Sequence, residues 1–382
     1  RAALLTKATI EYLRRLQAGK LALDELHGSP IDSTYRKWLF HAIRKPGSVV
    51  DAVKRFDFNR NIIVLRRGHI FQITFPEAHE VVQTSALYQT FQNIINTSQE
   101  SLPAVSSFTA DDRQSWAQRH AELAKQPANS ETLAAIDCCA FVVCLDTESP
   151  VTASERHMQF LLNGTDANLA NRWLDKPFQL VITANGASAG VFEHSKLDGM
   201  DVRALHHYLS EIVPARATNQ LLCELPPKTP AQMAYPLQEL RWELSPDMIG
   251  RIDQIQRRGA SEYGTIDHVK VVTEGLGSQY LQGCGVPPNA TANLTVLLAM
   301  YMVDKEVRPA WEVVSLARFK HGRIDWVQTV TSEVKAFLEA AVARPDDLQK
   351  SNELFRAAAS THARLIMNTA YGRGYVKHMY TL

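Results

Sequence analysis

Asn171-Arg172-Trp173-Leu174-Asp175-Lys176-Pro177-Phe178-Gln179-Leu180-Val181 leads through Asn185-Gly186 to Glu193-His194-Ser195-Lys196-Leu197-Asp198-Gly199. The β-branched, apolar runs 178–184 and 190–193 predict two strands. Asn185-Gly186 between them supplies the positive φ values that a tight hairpin turn needs. The second strand then delivers His194 to its end. Imidazole can take a hydroxyl proton at neutral pH, while a nearby carboxylate fixes its tautomer and orientation. Asp198, four residues on, is placed to be that carboxylate. His-x-x-x-Asp-Gly alone fits a general base, and it fits a structural or solvated histidine too.

Helical spacing of apolar residues recurs at 2–16, 85–95, 115–123, 202–212, 290–303, 327–343 and 352–369, and strand character at 61–66, 70–75, 138–144, 240–244 and 266–272. The proline-rich 225–230, ahead of Tyr235-Pro236, predicts a boundary near Pro236. Residues 1–236 and 237–382 are then two α/β units. A chain of 382 residues that is 45% hydrophobic has core enough for both.

Lys and Arg (41) nearly balance Asp and Glu (40), so no overall field favours nucleic acid or an anionic membrane. Cys138, Cys139, Cys144, Cys223 and Cys284 have no metal-ligand spacing, and the first three lie in the apolar run read as a buried strand; all five read as reduced core residues. No apolar run reaches the 18 or so residues that cross a bilayer, and no leader is apparent, so a cytosolic location is expected and the sequons at Asn96, Asn163, Asn289 and Asn293 read as chance. Opening on Arg1 within a helical pattern suggests a piece of a longer chain. His206-His207 and His321 have no acid pair at ligand spacing and read as structural or solvated.

The order Asn-Arg-Trp-x-Asp-Lys, short turn, Glu-His-Ser resembles the choline/carnitine acyltransferase family. Tyr35, Leu39-Phe40, Arg44-Lys45-Pro46-Gly47 and Asp51 resemble an early station of that family, and Ile63 to Phe71 a later strand pair. Phe319 to Gly322-Arg323, and His362 to Gly372-Arg373-Gly374 and His378, match further stations, so nearly the whole chain is covered. The resemblance implies two chloramphenicol-acetyltransferase-like halves with an active-site tunnel between them. It implies His194 as general base and Asp198 as its orienting carboxylate. The acceptor hydroxyl would lose its proton to Nε2 and attack a thioester directly, with no acyl-enzyme. A Ser-Thr-Ser strand stabilises the oxyanion in the family, and Leu382 comes before it, so the second half is expected to be incomplete.

Two departures redirect the substrates. Members that use coenzyme A carry Gly-Lys-x-x-Ile-Lys-Lys for its phosphates; the matching stretch from Gly277 to Asn289 has Ser278, Gln282 and Gly283 and no lysine. Each lost charge-assisted contact costs roughly 1.5–3 kcal/mol, so recognition of the nucleotide should be poor unless a lysine such as Lys270 takes over. In the acceptor pocket the family's Tyr-Glu becomes Trp311-Glu312, its Gly-Arg-Thr-x-Thr becomes Gly322-Arg323-Ile324-Asp325-Trp326, and the carboxylate-binding arginine becomes Lys377. Hydroxyls replaced by Ile324 and Trp326 suit a carboxylate poorly, which makes carnitine an unexpected acceptor. Trp311 and Trp326 as core filling is the other reading.

This combination resembles the acyltransferase-like domains of fungal highly reducing polyketide synthases. It implies a donor carried on the phosphopantetheine of an acyl carrier protein, an alcohol or polyol acceptor, and neither bound cofactor nor metal. A free-standing coenzyme A-dependent carnitine or choline acyltransferase and a non-catalytic scaffold that docks a carrier domain are the rival readings.

Overall fold

Strands buried on both faces need helices on both sides. Asn61–Arg66, Val142–Leu145 and Phe178–Ile182 meet that condition, with nearly every residue buried. In the computed structural model, which describes residues 1–26, 28–152, 155, 169–213, 234–263, 269 and 271–381, they are the centre of a six-stranded mixed sheet. From one edge, Leu237–Leu240 pairs antiparallel with His69–Thr74, and that strand antiparallel with Asn61–Arg66. Asn61–Arg66, Val142–Leu145 and Phe178–Ile182 run parallel, and Ser188–Phe192 closes the other edge antiparallel.

Alternation divides the side chains cleanly. Ile62, Val64, Val143, Phe178 and Leu180 enter one core with Leu13, Leu87 and Leu205, which come from helices Ala2–Gln17, Thr84–Thr97 and Gly199–Ile212. Ile63, Leu65, Val142, Cys144 and Val181 enter the other with Trp116, Ile136 and Ile252, from helices Arg113–Leu123, Pro127–Cys138 and Pro246–Tyr263.

Two compact units result, Arg1–Ala22 with Ser33–Lys270, and Leu23–Asp32 with Val271–Leu382. The first runs past the expected boundary at Pro236. Leu237–Leu240 is a strand of its sheet, and Met248, Ile252 and Ile255 are buried in its second core. In the second unit, helices Pro288–Asp304, Ser332–Ala343 and Leu348–Asn368 pack around Leu294, Val334, Leu338 and Ala358. Beside them, Trp311–Ser315 and Ile324–Gln328 form an antiparallel hairpin.

Several local expectations change. The run 138–144 is not one strand, because Cys138 ends helix Pro127–Cys138 and the strand starts at Val142. Cys139 and Cys144 are buried, and burial pushes the Cys144 thiol up to about 12, but Cys284 is exposed. The helix expected over 327–343 starts at Ser332, where Thr331 caps it by accepting from the Val334 N–H. Only Gly186 (φ 81) of the Asn185-Gly186 pair has positive φ. The Gly186 N–H donates to the Thr183 carbonyl and the Ala187 carbonyl accepts from Thr183, giving a three-residue loop that ends in a left-handed glycine. Asn185 serves through its side chain, accepting from Thr183 Oγ1 at 2.7 Å and donating to the Pro150 carbonyl at 2.9 Å. Cys223, the sequon at Asn163, the proline-rich 225–230 and most of the strand expected over 266–272 lie outside the described residues. Among the described residues no helix is long and apolar enough to cross a membrane.

His41 links acidity to folding. Its backbone is left-handed (φ 54), the residue is 2% exposed, and Nε2 lies 2.9 Å from the Asn59 carbonyl. Burial pulls its pKa down to about 4. The unfolded chain protonates this ring below about 6.5 and the folded chain does not, so its contribution is intact above that pH and lost as pH falls toward 4. His41→Asn tolerates the left-handed backbone and removes the titration. The gap between wild-type and variant urea midpoints should narrow from about pH 7 to about pH 4.5. A constant gap would show that His41 carries none of the acid sensitivity.

Candidate active site

The Asn-Arg-Trp-x-Asp-Lys segment is a buried bracket. Asn171 Nδ2 donates to Asp146 Oδ1 at 2.8 Å, and Arg172 grips the same carboxylate with two bonds of 2.7 Å. Burial alone would lower the Arg172 pKa, and Asp146 more than offsets it, holding the guanidinium charged. The Trp173 N–H donates to Gln179 Oε1 at 2.7 Å. Asp175 accepts from Arg113 Nη1 and from the Trp116 indole N–H, both at 2.7 Å. Burial nonetheless pushes the Asp175 carboxyl up to about 6, with Arg113 pulling the other way. Lys176 Nζ donates to the carbonyls of Ile136, Asp137 and Cys139 at 3.0–3.2 Å, a cation at the C-terminal end of helix Pro127–Cys138. Strand Phe178–Ile182 thus starts from a fixed point.

The bracket extends to the histidine. The Arg44 N–H donates to the Asp175 carbonyl at 2.9 Å, and Arg44 Nε to Asp51 Oδ2 at 2.7 Å. Arg113 Nε shares that oxygen at 2.8 Å, and Arg44 Nη1 reaches Glu193 Oε1 at 3.5 Å. Glu193 also accepts from the Ser195 N–H at 3.0 Å and from Ser195 Oγ at 2.6 Å. His194, with a side chain 73% exposed, follows the strand end, and its Nδ1 lies 3.7 Å from Asp198 Oδ1. That is ion-pair range and longer than a hydrogen bond. Asp198 is the N-cap of helix Gly199–Ile212, and its backbone N–H donates to Asp201 Oδ2 at 3.2 Å. His206 and His207 on that helix are exposed, and His207 pairs with Glu211 at 3.1 Å.

The remaining expected site residues belong to the second unit. Register pairs Val313 with Trp326 and Ser315 with Ile324, so Trp311, Ile324 and Trp326 share one face of the hairpin. Trp311 is 58% exposed, so it does not fill the core. Lys377 Nζ donates to the Ile324 carbonyl at 3.2 Å, at one end of that face. Ser278, Gln282 and Gly283 are exposed on the short helix Ser278–Gly283, and Asn289 is exposed near the start of helix Pro288–Asp304. Asn289 is tied to the hairpin, donating to Glu312 Oε1 at 2.6 Å, while Glu312 Oε2 lies 2.8 Å from Nε2 of the buried His362. Lys270 lies outside the described residues.

Sequence reasoning missed Arg113, Asp146 and Arg356. The first two act over separations of 62 and 26 residues, which leave no local spacing to read. Arg356 donates to the Cys284 carbonyl at 3.3 Å, so a cation does reach the lysine-free stretch. Asp146→Ala removes the carboxylate that Arg172 grips, and a buried charge deprived of its partner costs about 3–5 kcal/mol. A matching fall in the urea midpoint is the expected result, and a fall worth less than about 1 kcal/mol would show that the pair does not brace the bracket.

Comparison with known proteins bears on this geometry. The model of the family described as choline/carnitine O-acyltransferase matches residues 1–382. The chain is 42% identical over 390 residues to highly reducing polyketide synthase 17 of Metarhizium anisopliae, covering 100% of this chain and 12% of that protein. It is 33% identical over 395 residues to highly reducing polyketide synthase sdnO of Sordaria araneosa, with the same shares. Choline O-acetyltransferase of Homo sapiens is 25% identical over 368 residues, 92% of this chain and 48% of that enzyme. The chain therefore spans about an eighth of the length of the two synthases. A match over the full length, together with the bracket that sets Glu-His-Ser at a strand end, places this chain in the choline/carnitine O-acyltransferase family, a family of acyltransferases.

Proposed function

We propose that this chain moves an acyl group from the phosphopantetheine thioester of an acyl carrier protein onto a hydroxyl of a small alcohol or polyol, releasing a polyketide as its ester. The observation that carries the reading is the exposed His194 ring at the strand end with the Asp198 carboxylate beside Nδ1. With Nδ1–H turned to Asp198, Nε2 is the atom that receives the acceptor's proton. The alkoxide oxygen forms its bond to the thioester carbonyl, the C–S bond breaks, and the thiol leaves with the proton from Nε2. No acyl-enzyme is needed, and this chain's part is to hold the acceptor and the proton in line.

The lysine-free rim formed by Ser278, Gln282 and Gly283 supports a donor arm without a nucleotide, as does the likeness to two polyketide synthases. Trp311, Ile324 and Trp326 supply apolar surface on a hairpin face that also carries Ser315, whose hydroxyl accepts from the Ala317 N–H, and this supports a neutral acceptor. A coenzyme A thioester donor is the second reading. Arg356 at Cys284 favours it, because a guanidinium there could meet a phosphate.

A panel of thioesters separates the two. Acyl-pantetheine and acyl-carrier donors should transfer at least as well as acyl-coenzyme A, and a marked preference for the coenzyme would replace the carrier reading with the second. His194→Ala should lower transfer by about 100-fold or more, the scale of a lost general base; turnover near wild type would support a scaffold instead. Lys377→Ala should change the KM for a neutral polyol by less than about twofold, since a neutral hydroxyl leaves no charge for it to pair. A large rise would mean that the acceptor is an anion.

A further inference from the structure

We propose that Glu193, held by Arg44, is a positioning residue that fixes the place and angle at which His194 presents its ring. The inference rests on the general-base reading of His194 and adds to it the group that aims the base. Residues 193–198 link the strand that ends at Phe192 to the helix that starts at Gly199, with Glu193 bonded back to the hairpin and Asp198 accepting the first backbone bonds of the helix. The His194 Nδ1 lies 3.7 Å from Asp198 Oδ1, in ion-pair range.

Glu193 adds a side-chain tie inside this link. Its backbone N–H donates to the Pro177 carbonyl at 3.2 Å, continuing the hairpin by one residue. Its carboxylate accepts from the backbone and hydroxyl of Ser195, so the two residues that flank His194 are joined by one side chain. A carboxylate makes such a bridge only if something fixes the carboxylate, and Arg44 does so through one of its two charged contacts, the other being Asp51. Asp51 in turn accepts from the Gly47 N–H at 3.0 Å and is shared with Arg113, which ends on buried Asp175. Charges alternate along the whole run, Glu193, Arg44, Asp51, Arg113, Asp175, and each is at most about one-third exposed. The buried bracket is thereby connected by side chains, as well as by the hairpin backbone, to the residue beside the base. A misplacement of about 1 Å in a reacting group costs on the order of 100-fold in rate, so loosening this run should appear in turnover before binding.

The test uses transfer from one acyl-pantetheine to one alcohol, with Arg44→Met, Arg44→Lys and Glu193→Gln made in the wild-type chain and in His194→Ala. Arg44→Met should lower kcat by about 10- to 100-fold, with both KM values within about twofold and the thermal midpoint within a few degrees. Arg44→Lys, which keeps the charge, should recover part of the loss, and Glu193→Gln, which keeps the shape, should fall between. In the His194→Ala background the same substitutions should change the residual rate by less than about twofold, because there is no base left to aim. Equal losses in both backgrounds, or a wild-type kcat in Arg44→Met and Glu193→Gln beside an inactive His194→Ala, would overturn this inference alone. If Arg44→Met does not fold, Glu193→Gln carries the same comparison. Near-wild-type turnover by His194→Ala overturns the general-base reading and this inference with it.

Discussion

The rest of the structure depends on where buried charge is satisfied. Asp175 is 2% exposed, Arg172 is 0% exposed and Lys176 is 1% exposed, all within five consecutive residues. Taking such groups from water costs several kcal/mol each, and replacing them with apolar residues would often stabilise a fold. Partners on other elements compensate here: Asp146 at the end of one strand, Arg113 and Trp116 on a helix, and three carbonyls at the end of another helix. Because charge-assisted bonds demand direction as well as proximity, these elements can meet in few ways. The central strand Phe178–Ile182 leaves this junction already aimed, and the hairpin carries that aim to residue 192.

The second unit treats polarity differently. Its hairpin turns Glu312 toward Asn289 and His362, and it turns Trp311, Val313 and Trp326 the other way. One strand thus carries an internal tie on one side and an apolar face on the other, which is the ordinary use of a two-residue period. Groups fixed by charge surround His194, whereas the hairpin face of the second unit presents apolar side chains.

Much of this was legible. Asn61–Arg66 shows its β-branched run openly, and the helices around Leu13, Leu87 and Leu205 carry a plain apolar stripe. Helix Pro127–Cys138 escaped because the positions it buries include Asn129, Thr132 and Asp137, polar residues that periodicity counts as solvent-facing. Helix Pro246–Tyr263 escaped because arginines surround its buried Met248, Ile252 and Ile255. The hairpin strand Ile324–Gln328 was hidden by an apparent helical pattern running from Val327, which stops being helical where Thr331 caps the true start. Around the site, His194 and Asp198 stood out through a motif of fixed order. Arg113 and Asp146 did not, since a side chain that acts across a fold marks nothing near itself in the chain.

Phe192 stacks on Phe178 with ring centroids 5.1 Å apart, and Gly190 is what lets it do so. A Cβ at position 190 would lie 2.6 Å from the Phe192 ring and 3.3 Å from that of Phe178. The cramped packing lies two residues before His194, on the edge strand. One methyl group at Gly190 would press on both rings and strain the edge strand that leads to His194. A survey scored by activity would draw the active centre larger than the set of atoms that meet substrate, and its outline would follow the packing of the hairpin.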